Sequence, residues 1–491
     1  MSNEFFDLLT TNYVGRASSV VRFSDSESYN GNDLLSLIAG SSKQLLEAGV
    51  NPGDRIAIEA QPTPSYVGSV LGAIALGAIV VPVNPNATLS EMQYCLRDAT
   101  VRFAIGSGRI FSEATSNLSY DLKSYQGVGS DLHVPNGCTT ISVSAEQIRP
   151  DEVPIPKLSI DAPCLIGYTS GTTGKPKGAL LSLRNLYTSA KGLIEAWGWT
   201  KEDHLLHFLP LYHMHGLGVG LFASLAAGSK ISFLDRFSED GLFSAIDSGD
   251  ITMIFGVPTI YERIARDSRL NRLAKLRIFV SGSAPLPTDL FERLRENLGK
   301  GPVERYGMTE TVMNTSNPAV GTQKPGKVGL PLSGVLVKIA DDGEVLIKGD
   351  NVMLGYLGRP EATADSFTPE GYFKTGDLGE VDVDGYLEIK GRKKDLIISG
   401  GFNVYPKEVE AELRSFSAIR DAAVVGRPSQ LWGEEVVAFV ECEGTVNTAE
   451  VLDFLRKQLS AYKVPKQIFI VDELPRNNMG KVVYAMLRER L

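Results

Sequence analysis

The chain is expected to fold as an α/β protein: a large N-terminal domain of parallel sheets with helices plus a β sub-barrel, and a small mobile α+β C-terminal domain. Three features predict this. Short apolar runs alternate with helix-like stretches through the first part of the chain, tight polar turns separate short strands beyond Gly321, and the residues after Lys394 carry strands and a helix of their own. A length of 491 residues also exceeds what one hydrophobic core supports, so more than one domain is expected.

Taken in order, residues 32–47 read as a helix and 55–59 as a strand. The segment 66–83 is apolar enough to raise the question of a membrane span. It carries Gly68, Gly72 and Gly77, however, and meets Pro82 before the roughly 20 residues that a span requires. It is therefore read as a buried helix running into a strand, with glycines that let the helix lie close on a sheet. Residues 90–97 read as a helix, and 103–105, 231–234, 253–255 and 278–280 as buried strands. Val257, Pro258 and Thr259 open a further helix. Beyond Gly321, strands at 335–339, 344–348 and 386–390 are separated by Asp-Gly turns, which predicts antiparallel structure closing the large domain. After the charged stretch 391–395, strands at 422–425, 436–440 and 468–471 with a helix at 449–459 suffice for a small domain. The boundary is placed at Lys394, dividing 1–393 from 394–491.

A net charge of −9 opposes a general nucleic-acid or anionic-membrane role. Cys95, Cys138, Cys164 and Cys442 are scattered without C-x-x-C spacing, as reduced thiols are. With no signal-like N-terminus and no C-terminal retention tag, a cytoplasmic protein is expected. The sequence leaves monomer and dimer open.

The string YTSGTTGKPKG at 168–178 holds three glycines, four Ser and Thr hydroxyls and two lysines. Glycines let backbone N–H groups close around an anion, and Lys175 and Lys177 add charge, so Thr169, Ser170, Gly171, Thr172, Thr173, Gly174 and Lys175 suit a polyphosphate. Apolar runs at 164–166 and 179–181 place this turn between two strands. Its spacing is not the G-x-x-x-x-G-K-[ST] of P-loop NTPases.

Further motifs follow: SGSAPL at 281–286, ERYGMTE at 304–310, TGD at 375–377, and PRNNMGK at 475–481. Together with 168–178 they resemble the acyl-adenylate-forming superfamily of acyl-CoA synthetases, luciferases and peptide-synthetase adenylation domains. That resemblance implies ATP, Mg²⁺ and CoA, with a carboxylate attacking the α-phosphorus of ATP and a thiol then displacing AMP. It implies that Ala284, Glu304, Tyr306, Gly307 and Met308 line the nucleotide, with the Tyr306 ring on adenine. Thr309 would serve an α-phosphate oxygen and Glu310 the metal. Asp377 would accept hydrogen bonds from the ribose hydroxyls, with Arg392 in support. Lys481 would bridge the attacking carboxylate and the α-phosphate, Lys394 would be a domain hinge, and Gly400 and Gly401 would line a pantetheine passage.

The acyl group needs separate reading. VPTIYERIA, SGSAPL and ERYGMTETVMNTS are similar to the malonyl-CoA synthetase branch, which implies that Arg263, Arg305 and Ser283 hold the carboxylate that is not activated. Arg263 has a second reading, an ion pair with Glu262 or Asp267 on a surface helix, and Arg236 reads as structural. Four of the five histidines lie between His204 and His215 without a zinc-ligand spacing, and the resemblance selects His213 as a gate to the acyl pocket. A monocarboxylic fatty or aryl acid, or transfer to a carrier-protein phosphopantetheine, remain the alternatives. A nucleotide-binding regulator with a lapsed site is disfavoured, since Glu310, Asp377, Arg392 and Lys481 are all present.

Overall fold

The computed structural model describes residues 4–24, 27–116, 138–145, 148–149, 153, 156–169, 175–476 and 481–491. Packing divides the chain into two compact units, Met1–Val337 with Ile347–Phe373, and Lys338–Leu346 with Lys374–Leu491.

The first unit is built on two sheets. In one, Arg55–Glu59 runs parallel to Ile79–Val83 on one side and to Phe103–Ile105 on the other. All five residues of Arg55–Glu59 are buried, as expected of an apolar run that does not alternate and is covered on both faces. Helix Pro64–Ala75 leads into Ile79–Val83, so the apolar segment is a core helix and strand. Its glycines act differently from expectation: they admit a helix. A Cβ on Gly68 would come 2.4 Å from Ser41 Oγ, and one on Gly72 would come 3.0 Å from the Ser42 nitrogen, both in helix Gly31–Glu47. Two helix backbones approach here because neither glycine has a side chain. Among the described residues no helix is long and apolar enough to cross a membrane.

The antiparallel pair Pro163–Thr169 and Lys177–Ser182 extends this sheet and frames the glycine-rich turn. The second sheet has parallel neighbours Val303–Tyr306, Ile278–Ser281, Met253–Gly256, His204–His207, Lys230–Phe233 and Ser19–Arg22 in that order. Gly256 pairs with Ser281 and Ser281 with Glu304, so three strands finish side by side. The segments after them leave from one edge, the carboxyl end where open α/β sheets bind ligands.

In the second unit, Ile419–Ser429 pairs antiparallel with Gly433–Cys442, and Gln467–Val471 joins in parallel. Ile397, Val404, Leu413, Val424 and Val436 share one buried core there. The four-stranded sheet of Leu336–Ile339, Glu344–Lys348, Phe373–Val381 and Leu387–Arg392 falls mostly in this unit. The expected boundary at Lys394 therefore lies inside the second unit. Local ties account for this grouping: Lys393 Nζ contacts Asp342 Oδ2 at 2.6 Å and Glu344 Oε2 at 2.8 Å, and helix Pro406–Arg414 packs on Leu387–Arg392.

Candidate active site

Along Val303–Tyr306 successive side chains face opposite ways, so the neighbours Glu304 and Arg305 enter different environments, both buried. Arg305 is only 5% exposed, and its Nε and Nη2 reach no hydrogen-bond acceptor among the described residues. The guanidinium lies against Gly282, where a Cβ would stand 2.4 Å from Cζ; any other residue would displace it. Burial pulls the Arg305 pKa down to about 9, which leaves it charged at neutral pH. Next to Gly282, Ser283 adopts a left-handed φ of +69°, an uncommon conformation for a serine. Its Oγ is 3.2 Å from His215 Nδ1. His215 opens the π-helical segment His215–Phe222, and its ring stacks on Phe255. A cation, a hydroxyl and an imidazole thus gather at the strand ends.

Glu304 braces the same loop from the other face. Its Oε1 accepts a hydrogen bond from the Leu286 nitrogen at 3.2 Å, and a second backbone donor is Gly326. Burial outweighs both and raises its pKa to about 8. The native state then keeps a proton that the unfolded chain loses above about pH 4.3, so stability falls as pH rises through the window up to 8. Glu304→Gln should remove this slope, which is up to about 1.4 kcal/mol per pH unit. Urea unfolding at pH 5.5 and 7.5 checks it; an unchanged slope in the variant would show that Glu304 is ionised in the fold.

Two of the expected site residues have neighbours that the sequence did not suggest. Arg263 does not accompany Arg305 as a free guanidinium: its Nε and Nη2 contact Glu239 Oε1 and Oε2 at 2.7 and 2.8 Å, and it lies over the Phe237 ring. With 55% of its side chain exposed, it forms a bidentate surface pair, because Glu239 begins the neighbouring helix Glu239–Asp247. Glu262 and Asp267, the partners considered from sequence, engage Arg293 and Arg269. The histidine on Ser283 is His215, whereas His213 is half-buried with its ring beside Tyr212. The resemblance picks the first histidine of the pair, and only the turn of the π-helix shows that the second faces the serine.

Residues 170–174, which include Ser170, Gly171, Thr172, Thr173 and Gly174, lie outside the described residues. The stem of the turn meets the adjacent motif: a Cβ on Gly167 would be 2.4 Å from Thr309 Cγ2. Glu310 is buried, and its Oε1 accepts a hydrogen bond from the Tyr356 hydroxyl at 3.0 Å. Lys177 Nζ sits 5.0 Å from the Tyr356 ring centre, so Thr309, Glu310 and the second stem converge. A buried carboxylate with hard oxygens suits Mg²⁺, which takes one or two carboxylates and completes its shell with waters and phosphate oxygens. Tyr306, Met308 and Ala284 are half-buried. At Gly307 a side chain would strike the Val312 carbonyl oxygen at 2.1 Å.

In the second unit Asp377 is 3% exposed, with Arg392 Nε 2.8 Å from its Oδ1. Its backbone nitrogen donates to Thr375 Oγ1. Sequence reading passed over Lys407 on helix Pro406–Arg414, an amine whose pKa is lowered chiefly by burial and which feels both Asp377 and Arg392. Lys394 is exposed in the short turn Lys393–Asp395. Gly400 and Gly401 have φ of +59° and +82°, and a Cβ on Gly400 would be 2.9 Å from the Trp432 ring. Lys481 is exposed beside the bridge Arg476–Val482.

Hydroxyls and a buried carboxylate thus stand beside the stems of the glycine-rich turn, and a buried cation lies at the adjoining strand ends. Comparison with known proteins gives the family. Residues 12–357 match the AMP-binding enzyme family and 408–481 the AMP-binding enzyme C-terminal domain, and the chain belongs to this family. It is an AMP-forming acyl-CoA synthetase that uses ATP, Mg²⁺ and CoA. It is 34% identical over 480 residues to the malonate–CoA ligase of Arabidopsis thaliana, covering 89% of this chain and 78% of that one. It is also 34% identical over 477 residues to a feruloyl-CoA synthase of Amycolatopsis sp, covering 93% of each. The crystal structure of ATP-bound MatB from Rhodopseudomonas palustris matches with a TM-score of 0.89 at 33% identity, covering 100% of this chain and 99% of that one.

Proposed function

We propose that the acid is a short dicarboxylate, malonate or methylmalonate, which the enzyme converts to its CoA thioester. The observation that carries this reading is the buried Arg305, whose Nε and Nη2 have no acceptor among the described residues. A guanidinium in that state is costly unless an anion completes it, and a carboxylate matches its fork. The malonate–CoA ligase relative supports the same choice.

On this reading Arg305 and Ser283, with His215 on the serine, hold the far carboxylate. The near carboxylate oxygen attacks the α-phosphorus of ATP, forming the acyl–O–P bond as the bond to pyrophosphate breaks. Thr169 and Lys175, at the ends of the glycine turn, receive the outer phosphates, and Thr309 faces an α-phosphate oxygen. Tyr306 offers its ring to adenine, with Ala284, Gly307 and Met308 around it. Glu310 would hold Mg²⁺, which screens phosphate charge when bound. Asp377, supported by Arg392, accepts hydrogen bonds from the ribose hydroxyls, and Lys481 meets the charge that grows on the α-phosphate. In the second step the CoA sulfur attacks the acyl carbon and AMP leaves, with Gly400 and Gly401 leaving room for pantetheine and Lys394 as the pivot.

A second reading is an aryl acid, favoured by the equal identity to the feruloyl-CoA synthase and by the loss of Arg263 to Glu239. AMP release from malonate, methylmalonate, octanoate and ferulate with ATP, Mg²⁺ and CoA separates the two. Malonate or methylmalonate should exceed both monocarboxylates by about 100-fold or more in kcat/KM, the penalty for leaving a buried polar group unpaired. If ferulate or octanoate leads, the dicarboxylate reading is lost and the enzyme class stands. The two dicarboxylates should lie closer together, since one methyl is worth about 1–3 kcal/mol.

A further inference from the structure

Both stems of the glycine-rich turn are gripped by one helix and one arginine that no sequence motif marks. Helix Leu89–Asp98 starts at a capping box, in which Thr88 Oγ1 accepts from the Glu91 nitrogen and Glu91 Oε2 accepts from the Thr88 nitrogen. Tyr94 and Asp98, four residues apart, share one helix face. The Tyr94 hydroxyl donates to the Pro176 carbonyl at 2.9 Å, and the Tyr94 ring centre is 5.8 Å from Lys175 Nζ. On the other stem, the Tyr168 hydroxyl has two acceptors on the same helix, Asp98 Oδ2 at 2.9 Å and the Cys95 carbonyl at 3.0 Å. Arg359 closes the arrangement, its Nη2 donating to Asp98 Oδ1 at 2.5 Å and to the Tyr94 hydroxyl at 3.2 Å. Arg359 is itself delivered to this place by strand Gly355–Tyr356, which pairs with the second stem through Gly355 with Leu180 and Tyr356 with Ala179.

We propose that Tyr94, Asp98 and Arg359 form a bracket that positions Thr169 and Lys175 for the polyphosphate of ATP. The proposal rests on the reading of this turn as the phosphate site. These three are positioning residues: Tyr94 and Asp98 act through the stems, and Arg359 acts through both of them. The arrangement is economical in protons. One Tyr94 hydroxyl donates to Pro176 while its lone pair accepts from Arg359, and the two Asp98 oxygens serve Tyr168 and Arg359 separately. Losing Tyr94's hydroxyl therefore frees the Pro176 stem, losing Asp98's carboxylate leaves the Tyr168 stem on the Cys95 carbonyl alone, and either loss weakens the other hold through Arg359. Asp98 and Arg359 are mostly shielded, with side chains 15% and 35% exposed, so water does not simply replace their bonds.

Steady-state kinetics on the full chain tests this with Tyr94→Phe, Asp98→Asn, Arg359→Ala and Arg359→Lys. Tyr94→Phe keeps the ring and removes only the hydroxyl, so folding is not at stake. Each of the first three variants should raise the KM for ATP about five- to tenfold, the loss of one net hydrogen bond, while the KM values for the acid and CoA stay within about twofold. Arg359→Lys should recover part of the loss by restoring the charge beside Asp98. If the ATP KM stays within about twofold of the parent in Tyr94→Phe and Asp98→Asn, or if all three substrates' KM values rise together with a lower melting temperature, the bracket is merely structural and the proposal is wrong. Lys175→Ala is the control for the premise. Should it leave ATP saturation unchanged, the phosphate reading fails and the bracket proposal goes with it.

Discussion

Arg305→Met is expected to abolish turnover of the dicarboxylate and, in the same protein, to raise the melting temperature in the absence of substrate. Both effects follow from a guanidinium that is 5% exposed and has two nitrogens without an acceptor among the described residues. With the substrate bound, a bidentate carboxylate would complete the fork, and breaking a buried pair costs about 3–5 kcal/mol, so kcat/KM should fall by roughly 150- to 5,000-fold. Without substrate the sign reverses. An uncompensated buried charge is replaced by an apolar chain of similar length lying along Gly282, and such exchanges are neutral or stabilising by about 1–4 kcal/mol. Calorimetry with and without malonate checks both halves, because a ligand that binds only the native state raises the transition by mass action. Malonate should stabilise the parent and leave the variant unmoved. A variant less stable than the parent when both are substrate-free would mean that Arg305 has a protein partner, and the carboxylate argument would collapse.

Arg305 and Arg263 also show how far the sequence could be read. Arg305 was legible because it adjoins the motif at 304–310, and the apolar run 278–280 before the partner motif could be read as core; the strand Val303–Tyr306 that buries Arg305 was not among the runs read from sequence. Arg263 has the same chemistry on an equally recognisable helix, yet its fate depends on Glu239, 24 residues away at the start of another helix. No local pattern reports that juxtaposition. The same holds for the boundary at Lys394, since antiparallel strands can be counted from their turns but the unit they pack with is decided by distant side chains such as Asp342 and Glu344. His215 was hidden for a different reason: the π-helical turn of His215–Phe222 breaks the periodicity from which a helical face is normally assigned. Tyr94, Asp98 and Arg359 have ordinary surroundings in sequence and acquire meaning only when strand Gly355–Tyr356 joins the sheet. Strands and motifs, then, were legible from local spacing, while ion pairs and loop supports required the tertiary fold.

Lys481→Ala should separate the two half-reactions. The residues around Lys481 are anchored: Arg476 contacts Asp421 at 2.5 Å and Glu441 at 3.4 Å, the Val483 nitrogen donates to the Pro475 carbonyl at 2.7 Å, and the Tyr484 hydroxyl donates to Glu410 Oε1 at 2.8 Å. The lysine itself is exposed, so its removal should leave the melting temperature of the protein unchanged. If its ammonium stabilises charge growing on the α-phosphate, adenylation loses about 10²- to 10³-fold, the usual cost of deleting one transition-state donor. Thioester formation from a supplied acyl-adenylate begins after that charge has left with pyrophosphate, so it should remain within a few-fold of the parent. Pyrophosphate–ATP exchange measures the first step, and CoA consumption with synthetic malonyl-AMP measures the second. Equal losses in both would place Lys481 in the structure of the domain instead of the chemistry, and no loss in either would make it a solvated surface lysine. A selective loss in exchange alone assigns it to the attack of the carboxylate on ATP, where charge grows on the α-phosphate as pyrophosphate leaves, and not to the departure of AMP in the second step.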